Sequence, residues 1–226
     1  MNNMIKLSNT IRNEEEIHQG NRIMLIGKDN TKTFVNAVEG LNIKFTGKNS
    51  LIILHDDYKV QNCNIVVGEG CYVEVGTHFS VRMRLHLDAR AKNTTIKIGD
   101  YCNIGSGSIS AGDDDDLEVI IGNNFMTSVD IYIRNSDGHT IYDLDTGKVI
   151  NKTAVGIHIG DNVWCGCDIK ILKDADIPSN CIIGAGSLVC KGNYCENSVI
   201  AGTPAKTIKT NVMWDKRSVT NYEASK

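Results

Sequence analysis

The chain is 226 residues long and carries 24 Lys and Arg against 27 Asp and Glu, a formal charge of −3. That balance excludes a general nucleic-acid binder held by phosphate neutralisation. The length suits one elongated or all-β domain with small appendages. Only four Phe and two Pro occur, and no helical periodicity is sustained before residue 205, which argues against a helical bundle or a doubly wound sheet.

In chain order, the opening stretch MNNMIKLSNTIRNEEEIHQG lacks the basic start and continuous apolar core of a secretory signal. No later run approaches a membrane span, so a cytoplasmic location is expected. The eight cysteines then read as small buried apolar residues in a reducing compartment rather than as disulfides. Residues 1–40, with the acidic run Glu14 to Glu16 and His18, show weak rhythm and read as an N-terminal cap segment. His55 follows, directly before Asp56 and Asp57.

A six-residue rhythm then sets in, as VGEGCY-VEVGTH from Val67, IGDYCN-IGSGSI from Ile98 and IGNNFM from Ile121, each in a different phase. His78 and His86 fall inside these repeats, where a residue can simply face solvent. Arg82, Arg84 and Arg90 lie within nine residues; they form either a solvated strand face or one wall of a groove for an anionic acceptor.

The phase jumps locate insertions. Ile104 and Ile121 are 17 positions apart, one short of three hexads, and the acidic run Asp113 to Asp116 lies between them. Ile133 and Ile159 are 26 apart, two more than four hexads, which predicts a protruding loop at about 134–156. That loop contains IRNSDGHTIYDLDTG, with His139 and Tyr142.

From Ile159 the sixes continue unbroken, with first positions Ile159, Cys165, Ile171, Ile177, Ile183, Val189, Cys195 and Ala201. The fifth positions are Val163, Ile169, Ala175, Cys181, Ser187, Asn193 and Val199. Two inward positions per six, with Gly, Asn and Asp between, predict short strands and tight turns stacked as a parallel β-solenoid over residues 41–204. Each coil of a solenoid buries its inward residues against its neighbours, so the ends need caps. His158 sits at a hexad edge. Cys165 and Cys167 have no second Cys or His pair at zinc-ligand spacing, so no metal is expected. Residues 205–226 leave the pattern as a C-terminal tail.

This pattern resembles the hexapeptide-repeat acyltransferases, whose fold is an all-β, left-handed parallel β-helix. Three pieces, IRNSDGHTIYDLDTGKVIN, IGDNVWCGCDIKILKD and VIAGTPAKTIKTNVMW, are similar to bacterial capsule and lipopolysaccharide sugar O-acetyltransferases of the polysialic acid O-acetyltransferase type. The resemblance implies an acetyl-CoA-dependent enzyme that works as a homotrimer with sites between subunits and acetylates a polysaccharide or sugar acceptor. It places the catalytic histidine at His139 and an active-site tryptophan at Trp164. The coenzyme positions fall on the Gly184, Ala185, Gly186, Ser187 turn and on the terminal Gly202, Thr203, Pro204, Ala205, Lys206 motif. Where polysialic acid enzymes carry bulkier residues and then a tyrosine, this chain has Gly-Ala-Gly-Ser followed by Cys190.

The chemistry required is simple. A sugar hydroxyl is a poor nucleophile, so acyl transfer from a thioester needs a base, and histidine titrates near the working pH. Asp137 and Asp143 are near enough in sequence to orient His139, a task that backbone carbonyls also perform. Charge developing on the thioester oxygen needs a donor, for which the Trp164 indole N–H or a backbone N–H serves; packing against the coenzyme or sugar is the other role for Trp164. Lys173, Lys191, Lys206 and Lys209 are candidate phosphate partners. Arg82, Arg84 and Tyr142 are candidates for acceptor binding.

Three alternatives stand beside this reading. A γ-type carbonic anhydrase needs two zinc histidines five residues apart, and positions 134 and 144 are Arg and Leu. An acetyltransferase acting on a small acceptor, such as a nucleotide-linked amino sugar or serine, would use the same histidine. A non-enzymatic scaffold would have no need of the His139 segment.

Overall fold

In the computed structural model, residues 19–225 are described. The acidic run Glu14 to Glu16, His18 and most of the first half of the expected cap lie outside them. The fold is almost entirely β, with two sheets of eight and twelve strands and one short helix, Val219–Glu223.

The eight-stranded sheet forms a first face. It stacks Arg22–Ile26, Leu51–His55, Tyr72–Val75, Thr95–Ile98, Glu118–Ile121, Gly156–Ile159 and Asp176–Ile177 in parallel register. The twelve-stranded sheet folds into two more faces, because the long strands Ser80–Ala89 and Asn103–Ser110 run around a corner. Their first residues align with the row Met126–Thr127, Trp164–Cys165, Ile182–Ile183 and Ser198–Gly202, a second face. Their later residues align with Leu41–Phe45, Cys63–Val67, Ile131–Arg134, Ile169–Leu172 and Leu188–Val189, a third. The register shifts between Val81 and Arg84, where the strand turns the corner.

The expectation of a purely parallel solenoid needs correction at the two ends. Lys32–Val35 pairs antiparallel with Arg22–Ile26, and Ala205–Thr210 pairs antiparallel with Ser198–Gly202. A solenoid end exposes unpaired backbone groups, and a strand folded back over the last coil covers them. Coil stacking reaches back to Arg22, within the stretch expected as a cap, and the tail begins as a strand.

The core is a set of aliphatic ladders, one residue per coil. Ile52, Val73, Ile96, Val119 and Ile157 stack in register on the first face, and all are buried. The hexad rhythm from Ile159 holds through Val189 and then fails. Asn193 and Cys195 are exposed, and the inward positions become Ser198 and Ile200 instead of Val199 and Ala201. Residues 190–197 carry no strand, and the chain passes from the third face directly to the second.

Register also gives the true length of the insertion. Ile171 and Val189 are paired 18 residues apart, whereas Ile133 and Ile171 are paired 38 apart. The excursion therefore inserts 20 residues. Sequence phase counts modulo six and shows only the remainder of two.

Candidate active site

His139 sits on the excursion, which leaves the corner between the third and first faces after Arg134 and rejoins at Gly156. The loop is built like a hairpin. Tyr142 bridges Val149 antiparallel, and the Ile150 N–H donates to the Ile141 carbonyl at 2.9 Å. Its tip closes on Asp143, whose Oδ1 accepts from Asp145 N, Thr146 N and Thr146 Oγ1 at 2.7–3.1 Å. The Thr146 hydroxyl, and then its amide, hold the Asp143 carboxyl below the usual carboxylate range. Asp143 is thus committed to its own turn and does not reach His139.

Asp137 is likewise committed. Its Oδ2 accepts from Lys173 Nζ at 2.5 Å and from Asn151 Nδ2 at 2.9 Å, and these bonds lower its pKa. Lys173 also donates to the Asn151 carbonyl at 2.6 Å, so it is bound to the loop rather than presented for a phosphate. Beside it, Asp174 Oδ1 accepts from the Ala154 and Val155 amides. Burial would raise the Asp174 pKa, but the backbone N–H groups of Val155, Ala154 and Gly156 outweigh it and hold it low. Lys173 and Asp174, in the next coil, therefore grip both roots of the excursion.

Asn151 completes the clamp, donating to the His139 carbonyl at 2.8 Å and accepting from Ile141 N at 2.8 Å. The backbone of His139 is fixed while its imidazole makes no hydrogen bond among the described residues. His139 lines a cavity of about 290 Å³ together with Asp114, Asp115, Asp137, Thr140 and Lys152. Arg134 and Ser136 both donate to Asp113 Oδ2, which docks the loop root against the acidic turn. Asp114 and Asp115 of the acidic run thus form one wall of the His139 cavity. Tyr142 is exposed on the loop and does not line the cavity.

Trp164 lies elsewhere, on the second face, paired with Met126 and Ile182. It is 39% exposed. Its ring packs 6.0 Å from that of Trp214, whose Nε1 donates to the Asn162 carbonyl at 2.7 Å. Sequence reading had no signal for this pair, because Trp214 belongs to the tail, outside any repeat. Within one chain His139 and Trp164 share no contact and line no common cavity.

Of the predicted coenzyme positions, the Gly184–Ser187 turn and Thr203 come together. The turn Gly184–Ser187 meets the hairpin after Ala201: Gly202 N donates to Ser187 Oγ at 3.2 Å, and Thr203 Oγ1 to the Gly186 carbonyl at 3.4 Å. Ser187 is buried, with its hydroxyl donated to the Gly184 carbonyl, so it braces the turn rather than facing a ligand. Ala185, Gly186, Lys191 and Lys206 are exposed. A Cβ at Gly186 would meet open space, and Gly186 has φ +71°, so backbone is presented at the surface there. Backbone so presented allows close approach of an extended ligand.

Arg84 lines a shallow groove of about 480 Å³ on the third face with Asn64, His86, Ser108 and Tyr132. Arg82, Met83 and Arg84 are exposed in succession at the corner, so they do not alternate as on a flat strand. Arg90 is removed from that cluster by a bidentate pair with Asp88, at 2.8 and 2.6 Å. Cys165 is buried and Cys167 exposed, and among the described residues no group of three or more His, Cys, Asp or Glu could hold a metal. Among the same residues no helix is long and apolar enough to cross a membrane.

No protein-family model matches the chain. It is 29% identical over 219 residues to a polysialic acid O-acetyltransferase of Neisseria meningitidis, an alignment covering 96% of this chain and 87% of that one. A polysialic acid O-acetyltransferase of Escherichia coli O1:K1 / APEC is 33% identical over 123 residues, but this spans 54% of the chain and 39% of the relative. Among solved structures, that of a polySia-specific acetyltransferase superposes with a TM-score of 0.72 at 26% identity, over 91% of this chain and 94% of that one. A chloramphenicol acetyltransferase of Morganella morganii is 31% identical over 157 residues, 67% of this chain and 70% of that one. The chain belongs to the hexapeptide-repeat acyltransferase family. As a family member it is an acetyl-CoA-dependent acyltransferase, and the relatives named above are acetyltransferases.

Proposed function

We propose that this acyltransferase O-acetylates hydroxyls of a bacterial surface polysaccharide, a sialic-acid-containing capsule, with His139 as general base. The observation that carries the proposal is the unpartnered imidazole of His139, held over a polar cavity by a clamped loop. Neutral His139 takes the hydroxyl proton as the new C–O bond forms and passes it to the departing thiolate. The thioester of acetyl-CoA supplies the acyl group. Trp164 Nε1 makes no hydrogen bond among the described residues and is free to donate to the oxygen on which charge develops. Gly184, Ala185, Gly186 and Thr203 line the coenzyme path, with Lys191 and Lys206 at its phosphates. Ser187 shapes that path from beneath.

The separation of His139 and Trp164 supports a homotrimer in which one subunit's loop meets its neighbour's second face. Ile141, Leu144, Val149 and Ile150 are exposed on that loop and supply an apolar contact. The coils are taken as left-handed, with the solenoid running from Arg22 to the closing strand Ala205–Thr210, in a cytoplasmic enzyme. Arg82, Arg84 and Tyr142 remain candidates for acceptor contact.

A second reading has its own observation. Asp114, Asp115 and Asp137 line the cavity, and such a wall favours a cationic amine over a polyanion, as in serine or a nucleotide-linked amino sugar. Thiol release from acetyl-CoA, followed with sialic-acid polymers, neutral capsule oligosaccharides, sugar nucleotides and serine, separates the two. The expected result is saccharide O-acetylation that His139→Ala abolishes while the oligomer mass is kept. Undiminished transfer by that variant would overturn the role of His139.

A further inference from the structure

At the corner between the first and second faces, each coil turns through one residue in the left-handed region. Asp57, His78, Tyr101, Asn124, Asn162, Asn180 and Asn197 occupy it, with φ between +54° and +67°. From Tyr101 onward these residues form a regular ladder, each N–H donating to a carbonyl of the preceding coil: Tyr101 to Thr77, Asn124 to Asp100, Asn162 to Asn123, and Asn180 to Asp161. Asn, Asp and His adopt this conformation more readily than other side chains, whereas the bulky ring of Tyr101 there is a genuine outlier. The turn itself needs no ring: Asn162 Nδ2 donates to Asn180 Oδ1 at 2.9 Å and links the two coils. Backbone strain kept where a cheaper residue would serve points towards function.

His78 stands next to that outlier. The His78 and Tyr101 rings stack with centroids 4.5 Å apart and planes at 27°. His78 Nδ1 lies 2.8 Å from Asp57 Oδ2, which fixes the ring and leaves Nε2 without a partner among the described residues. The Tyr101 hydroxyl likewise makes no hydrogen bond among them, and Tyr101 is 51% exposed. An apolar ring surface edged by unspent hydroxyl and imidazole groups matches a sugar ring, with its apolar C–H face and hydroxyl rim. Lys28, 3.7 Å from Asp57, adds a cation beside it.

Position along the solenoid points the same way. Tyr101 stands two ladder steps before Asn162, the neighbour of Trp164, a separation of about 10 Å at the usual strand spacing. The coenzyme path proposed above runs from Trp164 towards the C-terminal coils. That path turns from the second face to the third at Gly184–Ser187, which leaves the corner of His78 and Tyr101 clear for the acceptor.

We propose that His78 and Tyr101 form a saccharide-stacking platform that binds a residue of the acceptor chain remote from the reacting hydroxyl. This rests on the reading of the enzyme as a saccharide O-acetyltransferase and identifies where the rest of the chain lies. Tyr101→Asn and His78→Asn test it while keeping the fold, since both restore the residue type found in other coils. Binding of a sialic-acid polymer and of a neutral hexose oligomer to coenzyme-free protein is measured by calorimetry, alongside transfer kinetics on polymer and on single sugars. For whichever saccharide binds, Tyr101→Asn should weaken binding and raise the polymer KM about three- to tenfold. The kcat, the acetyl-CoA KM and the single-sugar KM should stay as in the wild type. Unchanged polymer binding, an equal loss on single sugars, or an altered oligomer mass would each overturn the platform. Absence of transfer to any saccharide would instead sink the enzymatic reading, while the binding arm would still decide the platform.

Discussion

Replacing Lys173 by Met tests whether the His139 loop is held by the coil beneath it. Lys173 is 22% exposed and donates to Asp137 Oδ2 at 2.5 Å and to the Asn151 carbonyl at 2.6 Å. A charge-assisted bond is worth about 1.5–3 kcal/mol when shielded. Asp137 is 38% exposed, so solvent screening pulls this down towards the surface-pair value of about 1 kcal/mol or less. With roughly 0.5–1 kcal/mol from the neutral carbonyl acceptor, the clamp contributes about 1–2 kcal/mol to loop closure.

At about 1.4 kcal/mol per decade, that predicts local opening roughly tenfold more frequent in Lys173→Met. Hydrogen exchange of the Ile141 and Ile150 amides, both hydrogen-bonded within the loop, should accelerate by that factor, while amides of the coils keep their protection. The effect carries a pH signature. Because the Asp137 pKa is lowered in the folded state, its contribution is present above the unfolded carboxylate value, near 4, and is lost as pH falls through the folded value. Wild-type loop protection should therefore drop towards that of the variant below about pH 4. Equal exchange in the two proteins at pH 7 would refute the clamp.

Two further outcomes follow from the packing. A Cβ on buried Gly68 would stand 2.1 Å from the Arg90 carbonyl oxygen in the next coil, and neither backbone can yield without separating the coils. Gly68→Ala should cost about 1–3 kcal/mol and lower the thermal midpoint by about 2–4 °C per kcal/mol, read by calorimetry; an unchanged midpoint would contradict the coil spacing. Trp214→Ala removes both the ring beside Trp164 and the bond to Asn162, so kcat for acetyl transfer should fall several-fold with the midpoint nearly constant. Trp214→Phe should recover part of that activity, and full activity in the Ala variant would show that the tail leaves Trp164 unaffected.

Much of the scaffold could be read from residue order, because a solenoid repeats one local solution and its period survives in the chain. Ile159, Cys165, Ile171, Ile177, Ile183 and Val189 are all buried as their phase requires. The same rhythm misassigned Asn193 and Cys195, which fall where the chain leaves the coil. A period records where a residue would point if the coil continued, and it carries no notice of the coil ending.

The candidate site divides along the same line. His139 stood out because a phase jump and a family motif coincide on it. What surrounds it did not, since each partner arrives from a different coil: the acidic wall from residues 114 and 115, and Lys173 and Asp174 from the coil beneath; Trp164 likewise meets Trp214 from the tail. Asp137 and Asp143, near in sequence, turned out to serve the loop itself. Local spacing thus determined the ladders, the turns and the place of the excursion, because those depend on neighbours a few residues away. Only the tertiary structure decided which side chains hold the loop, and that His139 and Trp164 lie apart within one chain. Those facts depend on stacking coils 18 to 38 residues apart, a register that no stretch of sequence specifies by itself.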